Sequence, residues 1–230
     1  MSDVFIDLLP VILAATLAPI YPIIVLLLLQ SERGLGKAIA FVTGAVAVRL
    51  VQGVIFGLVF APAVDAETAA GLELIGPTLL TLLGVLLLVM GVKKWRKGGD
   101  DEDGNAPPAW MSALSDMTVL KAAGSGVLVI LLAVKQWVFT LSAIGVIEEA
   151  RPGMAAGVGL YLLFTLGTQI LVVPPILAFA IAPQRSAAPL RRAQGWLQRH
   201  NRVIVATVSL VFGLFFLYRG ITGLLAFRVM

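Results

Sequence analysis

The sequence predicts an all-α integral membrane protein with six transmembrane helices, arranged as two inverted repeats of three helices each. Three observations lead to this prediction. The 230-residue chain is 59% hydrophobic, and its mean hydropathy is +0.99. Only 13% of the residues are charged, about half the share of a soluble domain. The charged residues also gather in the gaps between long apolar stretches, where a membrane protein exposes its loops.

Six apolar stretches are long enough to cross a bilayer. Each holds about 20 residues or more, which is the length that a helix needs to span the hydrocarbon core. They are approximately Val4–Leu29, Ala38–Phe60, Leu72–Val92, Ala122–Ile147, Ala155–Ala182 and Val203–Phe227.

Prolines predict that the first and fifth helices are broken. Pro19 and Pro22 lie inside the first stretch, and Pro174 and Pro175 lie inside the fifth. Proline has no backbone N–H, and its ring clashes with the preceding helical turn. Within a membrane, such breaks persist only where protein or water satisfies the freed carbonyl groups.

Basic residues in the loops predict the orientation of the chain. They concentrate in the three loops that follow the first, third and fifth stretches. These are Arg33, Lys37, Lys93, Lys94, Arg96, Lys97, Lys121, Arg185, Arg191, Arg192, Arg199 and Arg202. The opposite side carries only Arg151 and Arg228. Because positive charge marks the cytoplasmic side, we expect both termini to be extracytoplasmic.

The same pattern divides the chain into two halves. We expect residues 1–92 to form the first three-helix repeat and residues 122–230 to form the second, with 93–121 as a charged cytoplasmic linker. Because three spans are an odd number, the halves have opposite orientations, as in inverted-repeat transporters. When the halves are aligned at one offset, Gln52 falls on Gln169 and Ala18 falls on Lys135.

The loop before the sixth stretch has a distinct composition. The segment Ala187–Arg202 mixes Trp196 and leucines with arginines. We expect a short interfacial helix that either contacts anionic lipid headgroups or only anchors the chain.

Polar side chains are expected near the middle of several spans. They are Tyr21, Arg49, Gln52, Lys135, Gln136, Thr168, Gln169 and Arg219. A lysine at that depth costs about 2.5–3.5 kcal/mol, so Lys135 requires compensation. No carboxylate lies in the middle of any stretch, which disfavours a site for cations or hard metal ions. Arg49 and Lys135, together with amide and phenol donors, would suit a carboxylate, phosphate or sulfate group.

Five of these residues also have a purely structural interpretation. Arg219 is close enough to the outer interface for its side chain to snorkel. Arg49 and Gln52 would bond the carbonyl groups that the prolines free. Lys135 would sit uncharged among apolar side chains, and Gln169 would only join two helices.

Several classes of function lack their required residues. The chain has no cysteine, so thiol chemistry and thiolate metal sites are excluded. The single histidine, His200, lies in a loop, and no Ser-His-Asp set or metal-ligand spacing occurs. We therefore expect no enzyme activity, no cofactor and no bound metal. The basic residues sit at helix ends, where topology accounts for them, so nucleic acid is not an expected partner.

Short motifs in the first two stretches resemble the LysE-type transporter superfamily, which has two three-helix halves. The resemblance rests on Leu17–Ile24, on the turn Ser31–Ala38 and on the region of Gly44. The superfamily often has Asn-Pro-Lys at the start of the second half. Here the triplet is Ala133-Val134-Lys135, so only the lysine is kept.

Within that superfamily the chain is most similar to small actinobacterial proteins that address glycopeptidolipid or sulfolipid to the cell surface. This resemblance implies a multi-pass protein of the bacterial inner (plasma) membrane. It also implies a role in moving lipid or glycolipid to the envelope, with a partner in lipid export or biosynthesis.

Three hypotheses for the function remain open. The first is a transporter or flippase for an anionic lipid, glycolipid or lipid-linked phosphate. The second is a proton-coupled exporter of small polar solutes such as amino acids, and the third is an accessory subunit of a larger lipid-export or glycosyltransferase complex. Stretches of small residues would also permit a homodimer.

Overall fold

A computed structural model describes residues 2–60, 75–96, 114, 116–150 and 152–229, and within these ranges the chain contains helices and no strands. The helices are α1 (Ser2–Thr16), α2 (Ile20–Leu29), α3 (Gly34–Phe60), α4 (Ile75–Arg96), α5 (Val119–Leu132), α6 (Val134–Glu149), α7 (Met154–Gly167), α8 (Val173–Ile181) and α9 (Pro183–Val229).

Several of these helices can cross a membrane. In the described part of the chain, α3, α4 and α9 are each long and apolar enough to do so. The count rises to five if each of the bent pairs α1–α2 and α5–α6 forms one span. The chain is therefore a multi-pass membrane protein.

The first and fifth apolar stretches are interrupted, as the prolines predict. The axes of α1 and α2 meet at 54°, with Pro19 immediately before α2 and Pro22 in its first turn. In the fifth stretch, α7 ends at Gly167, and turns lead to α8. Pro174 and Pro175 lie in the first turn of α8. In both cases the prolines stand at the start of the second helix, where a missing N–H is tolerated.

The fourth stretch is also broken, although the prolines predict breaks only in the first and fifth. The axes of α5 and α6 meet at 70°, and Ala133 between them is extended, with φ −82° and ψ 95°. No proline marks this break. Instead, Trp137 Nε1 donates a hydrogen bond to the carbonyl oxygen of Leu131 at 2.8 Å. The indole thus satisfies one carbonyl at the end of α5, which a membrane interior requires.

The expected interfacial helix Ala187–Arg202 is not a separate element. It is the first part of α9, which has 47 residues and is therefore roughly 70 Å long at 1.5 Å per residue. Leu190 and Leu197 pack against the bundle, and Arg202 donates hydrogen bonds to the carbonyl oxygens of Lys94 and Trp95 at the end of α4. These contacts hold the segment in line with the last span.

The proposed linker is only partly described. Residues 97–113 and the loop 61–74 lie outside the described residues. The division into repeats 1–92 and 122–230 stays a prediction.

The interior consists of two apolar clusters. The first cluster joins α1, α4, α6, α7 and α9, with Leu8, Phe139, Phe164 and Phe216 at its centre. The second cluster joins α2, α3, α8, the start of α9 and Leu114. The polar residues described below lie between these two clusters.

Glycine allows α3 and α5 to cross in direct backbone contact. A Cβ atom at Gly126 would lie 2.0 Å from the carbonyl oxygen of Phe41, and one at Gly44 would lie 2.2 Å from that of Ala123. Such contacts between small residues are the usual means by which membrane helices approach closely. The crossing positions α3, which carries Arg49 and Gln52.

We expect Gly126→Ala to lower the free energy of unfolding by about 1–3 kcal/mol, because the new methyl group meets a backbone that cannot move aside cheaply. Gly124→Ala is the matched control, since a Cβ there meets nothing within 4 Å. Thermal unfolding in mild detergent measures both. Equal melting temperatures for the two variants would show that the crossing is looser than the structure indicates.

Candidate anion-binding site

A small cavity lies where α1, α2, α3 and α5 meet the turn between α7 and α8. It offers about 10 Å³ to the centre of a water molecule, which is room for about one water. Its lining residues are Ala15, Thr16, Tyr21, Phe41, Val42, Ala45, Arg49, Ile130, Thr168, Gln169 and Val172.

Arg49 supplies the only charge among the lining residues of this cavity. Its side chain belongs to α3 and is only 2% exposed. Nη2 donates a hydrogen bond of 2.6 Å to Gln136 Oε1, and the Cζ atom lies 5.6 Å from the centre of the Phe164 ring. Nε and Nη1 have no hydrogen-bond partner among the described residues. The guanidinium group is thus buried with only part of its donors satisfied.

Broken helix ends surround this arginine. The hydroxyl of Thr16, the last residue of α1, donates to the carbonyl oxygen of Ile12 at 2.7 Å and also lies 3.2 Å from the carbonyl oxygen of Gly167, the last residue of α7. In the turn that follows, Gln169 Nε2 donates to Thr168 Oγ1 at 3.0 Å. The buried hydroxyl of Tyr21, in the first turn of α2, has no partner within the described ranges. Two helix breaks therefore meet directly at the cavity.

The third break reaches the site through Gln136. This residue lies in the first turn of α6, just beyond Ala133, and its side chain is fully buried. Its Oε1 atom accepts the Arg49 hydrogen bond, while its Nε2 atom has no partner in the described structure. The position of the kink at Ala133 thus decides where Gln136 meets Arg49.

Further buried polar groups extend the site beside Arg49. Thr140 donates a long hydrogen bond of 3.4 Å to Gln52 Oε1. The Tyr161 hydroxyl donates one of 2.6 Å to the backbone carbonyl oxygen of Arg49. Gln52, Thr140 and Thr165 are each at most 3% exposed. This continuous polar patch links α3, α6 and α7.

The structure brings six of the eight expected site residues together. Tyr21, Arg49, Thr168 and Gln169 line the cavity. Gln136 binds Arg49, and Gln52 lies one helical turn after Arg49 on α3.

The other two expected residues lie elsewhere. Lys135 is half-buried in the first turn of α6 and is not part of the lining of this cavity. Arg219 lies on α9, forms an ion pair with Asp7, and lines a different cavity.

Sequence reasoning left Thr140, Tyr161 and Phe164 out of the site. For Thr140 and Phe164 a signal exists in the helical spacing. Thr140 follows Gln136 by four positions, and Phe164 precedes Thr168 by four, which places each pair on one helix face. Which face turns toward Arg49 depends on how α6 and α7 pack, and the spacing does not contain that information.

The arrangement is suited to binding an anion. The described lining residues offer a guanidinium group, an amide and hydroxyl groups, and none of them is a carboxylate. Arginine donates in a planar fork that matches carboxylate, sulfate or phosphate oxygens. Among the described residues, no group of three or more His, Cys, Asp or Glu side chains could hold a metal ion.

Comparison with known families gives a clear match. The chain matches the family described as Sap, sulfolipid-1-addressing protein, over residues 8–222. This chain belongs to the sulfolipid-1-addressing protein family. The match confirms the resemblance to proteins that address lipids, and it is compatible with the wider LysE-type superfamily. No curated protein and no solved structure matches this Sap-family chain.

The bond between Gln136 and Arg49 can be tested by a double-variant cycle. We expect Gln136→Leu to lower the free energy of unfolding by about 1.5–3 kcal/mol, because Arg49 then loses a charge-assisted bond. Adding Arg49→Met should restore much of this loss, since an apolar pair leaves no buried charge. Detergent-induced unfolding measures both effects.

Gln184→Leu is the control for the Gln136→Leu substitution, because Gln184 is exposed at the start of α9. If the second substitution at Arg49 only added to the loss, the hydrogen bond would not be the source of the effect.

Proposed function

We propose that this protein transports an anionic lipid, glycolipid or lipid-linked phosphate across the inner membrane toward the cell envelope, and that Arg49 binds the headgroup. The observation that carries the proposal is that Arg49 is buried and only partly hydrogen-bonded. It is a buried guanidinium group in a cavity whose described lining residues include no carboxylate, and two of its nitrogens have no partner within the described residues. A charged group in this environment raises the free energy of the folded protein, and a bound anionic ligand would compensate for that increase.

The family supports lipid as the cargo. The family is described as a sulfolipid-1-addressing protein, and the word sulfolipid denotes a lipid that contains sulfur. Sulfate and phosphate present similar oxygen geometry to a guanidinium group. The residues around Arg49 therefore support an anionic headgroup, and the family description supports a lipid as the molecule that carries it.

A six-span inverted repeat is the architecture that we propose for this function. In it, α7 and α8 together form the fifth span across their break, beside the two bent pairs and the three long helices. The two halves then each begin with a bent helix pair, α1–α2 and α5–α6. Transporters of this kind place substrate near the bilayer midplane, at discontinuous helices.

Transport requires this cavity to open. Its present size admits about one water molecule, so a headgroup enters only when the surrounding helices separate. The breaks at 17–19, 133 and 168–172 lie next to the cavity and are the natural hinges. Lys135 lies two residues after the break at Ala133, and rotation there is the step that would bring its ammonium group to the headgroup.

We expect Arg49→Gln to weaken binding of an anionic lipid about ten- to hundredfold, which corresponds to the loss of a charged hydrogen bond. Arg49→Lys should lose less, because it keeps the charge without the planar fork. The measurement is native mass spectrometry of the protein titrated with phosphatidic acid and, separately, with a sulfated glycolipid. The first tests a phosphate headgroup and the second a sulfate one.

Arg199→Gln is the matched control, because Arg199 is exposed on α9 and its loss changes the net charge equally. Undiminished binding by folded Arg49→Gln would reject the proposal. In that case, efflux of amino acids from loaded vesicles would favour the solute exporter. Stable co-purification with a larger export complex would favour the accessory subunit.

A further inference from the structure

The cavity beside Arg49 fits a smaller ligand than a lipid headgroup. It admits about one water molecule, whereas a sulfate or phosphate group is a central atom surrounded by oxygens. Such an oxyanion enters only after the helices separate. A monatomic anion such as chloride is only slightly larger than a water molecule, so it fits the cavity with the helices in the arrangement described above.

The positive charge of Arg49 has to be balanced from outside its own side chain. Arginine stays protonated in proteins, so burial does not neutralise it as burial neutralises a lysine. Its described contacts are with the uncharged side chains of Gln136 and Phe164. A water molecule in the cavity would accept a hydrogen bond but would leave the charge unpaired, which is strongly destabilising in an interior. A small anion would accept the hydrogen bond and balance the charge.

Two residues that line the cavity have donors without a partner. They are Arg49, through Nε and Nη1, and Tyr21, through its hydroxyl group. All these atoms are buried, and none has a hydrogen-bond partner within the described ranges. Guanidinium nitrogens can only donate, and a phenol hydroxyl can donate. The cavity therefore presents donors from two different helices, α3 and α2.

Several acceptors at the neighbouring helix ends are already hydrogen-bonded. The Thr16 hydroxyl lies within hydrogen-bond distance of the carbonyl oxygens of Ile12 and Gly167. Thr168 Oγ1 donates to the carbonyl oxygen of Thr165 at 2.7 Å. By contrast, α2 and α8 begin without a side-chain cap. The groups left over are thus mainly donors, which suits chloride, because chloride only accepts hydrogen bonds, whereas water also donates them.

We infer that the cavity beside Arg49 is a chloride site, in which the guanidinium group and the Tyr21 hydroxyl hold one ion while the surrounding helices are closed. This part of the inference concerns the closed cavity alone. Its consequence for transport rests on the proposed function. Because a headgroup would use the same guanidinium group, it binds only after the chloride ion has left. Chloride and lipid are therefore mutually exclusive ligands of Arg49.

Direct binding of radioactive chloride to the full chain in mild detergent tests the site. We expect the wild type to bind one ion per chain and Arg49→Met to bind none. Tyr21→Phe should weaken binding about three- to tenfold, because it removes one neutral donor and keeps the charge. Tyr218→Phe is the matched control, since Tyr218 is 70% exposed on α9, and it should bind chloride as the wild type does.

Melting temperatures give a second readout. As chloride replaces gluconate at constant ionic strength, the melting temperature of the wild type should rise by roughly 5 °C and then level off, because the ion binds only the folded state. Arg49→Met should show no such rise. Arg199→Met removes an exposed charge on α9 and should keep the full rise, which separates the site from general effects of the salt.

The outcomes separate the chloride site from the proposed function. Absence of chloride binding to the wild type overturns the site, and so does equal binding by Tyr21→Phe or by folded Arg49→Met; the lipid measurements at Arg49 then stand by themselves. If chloride binding depends on Arg49 and lipid binding does not, the chloride site stands and the proposed function fails. If both depend on Arg49, added chloride should weaken the binding of phosphatidic acid, and lipid binding that is insensitive to chloride would overturn the mutual exclusion.

Discussion

The burial of one positive charge is the constraint on which the rest of this structure depends. Arg49 lies in a membrane protein interior, between two apolar clusters, and is 2% exposed. Its surroundings accommodate it with a hydrogen bond to Gln136 and with the face of Phe164. None of the described residues that line the cavity is a carboxylate, so the compensation is incomplete. Incomplete compensation of a buried charge is a common mark of a binding site rather than of a structural pair.

Helix breaks and polar side chains occur together for a physical reason. A break frees backbone groups that a membrane interior cannot solvate. The Trp137 indole donates to the carbonyl oxygen of Leu131 in the last turn of α5. The Thr16 hydroxyl lies within hydrogen-bond distance of the carbonyl oxygens of Ile12 and of Gly167, which ends α7. The same breaks also leave segments that change direction more easily than a continuous helix. Two such breaks border the cavity directly, and the third reaches it through the bond between Gln136 and Arg49, so polar groups collect there.

Two cavities lie along α1 and α6, and their lining residues differ in charge. Among the described residues, the first is lined by an arginine and no carboxylate, whereas the second is lined by an arginine together with Asp7 and Glu149. Apolar side chains of the first cluster lie between them.

The sequence by itself determined the membrane class, the breaks at Pro19 and before Pro174, and most of the polar residues around Arg49. These follow from composition, from the chemistry of proline and from depth along each span, which are local properties. Only the tertiary structure decided that Ala133 is extended, that α9 is continuous through Ala187–Arg202, and that Arg219 pairs with Asp7. The physical reason is that depth along a span fixes how far a residue lies from the membrane surface. The side of the helix that faces a neighbour is fixed by packing between distant segments.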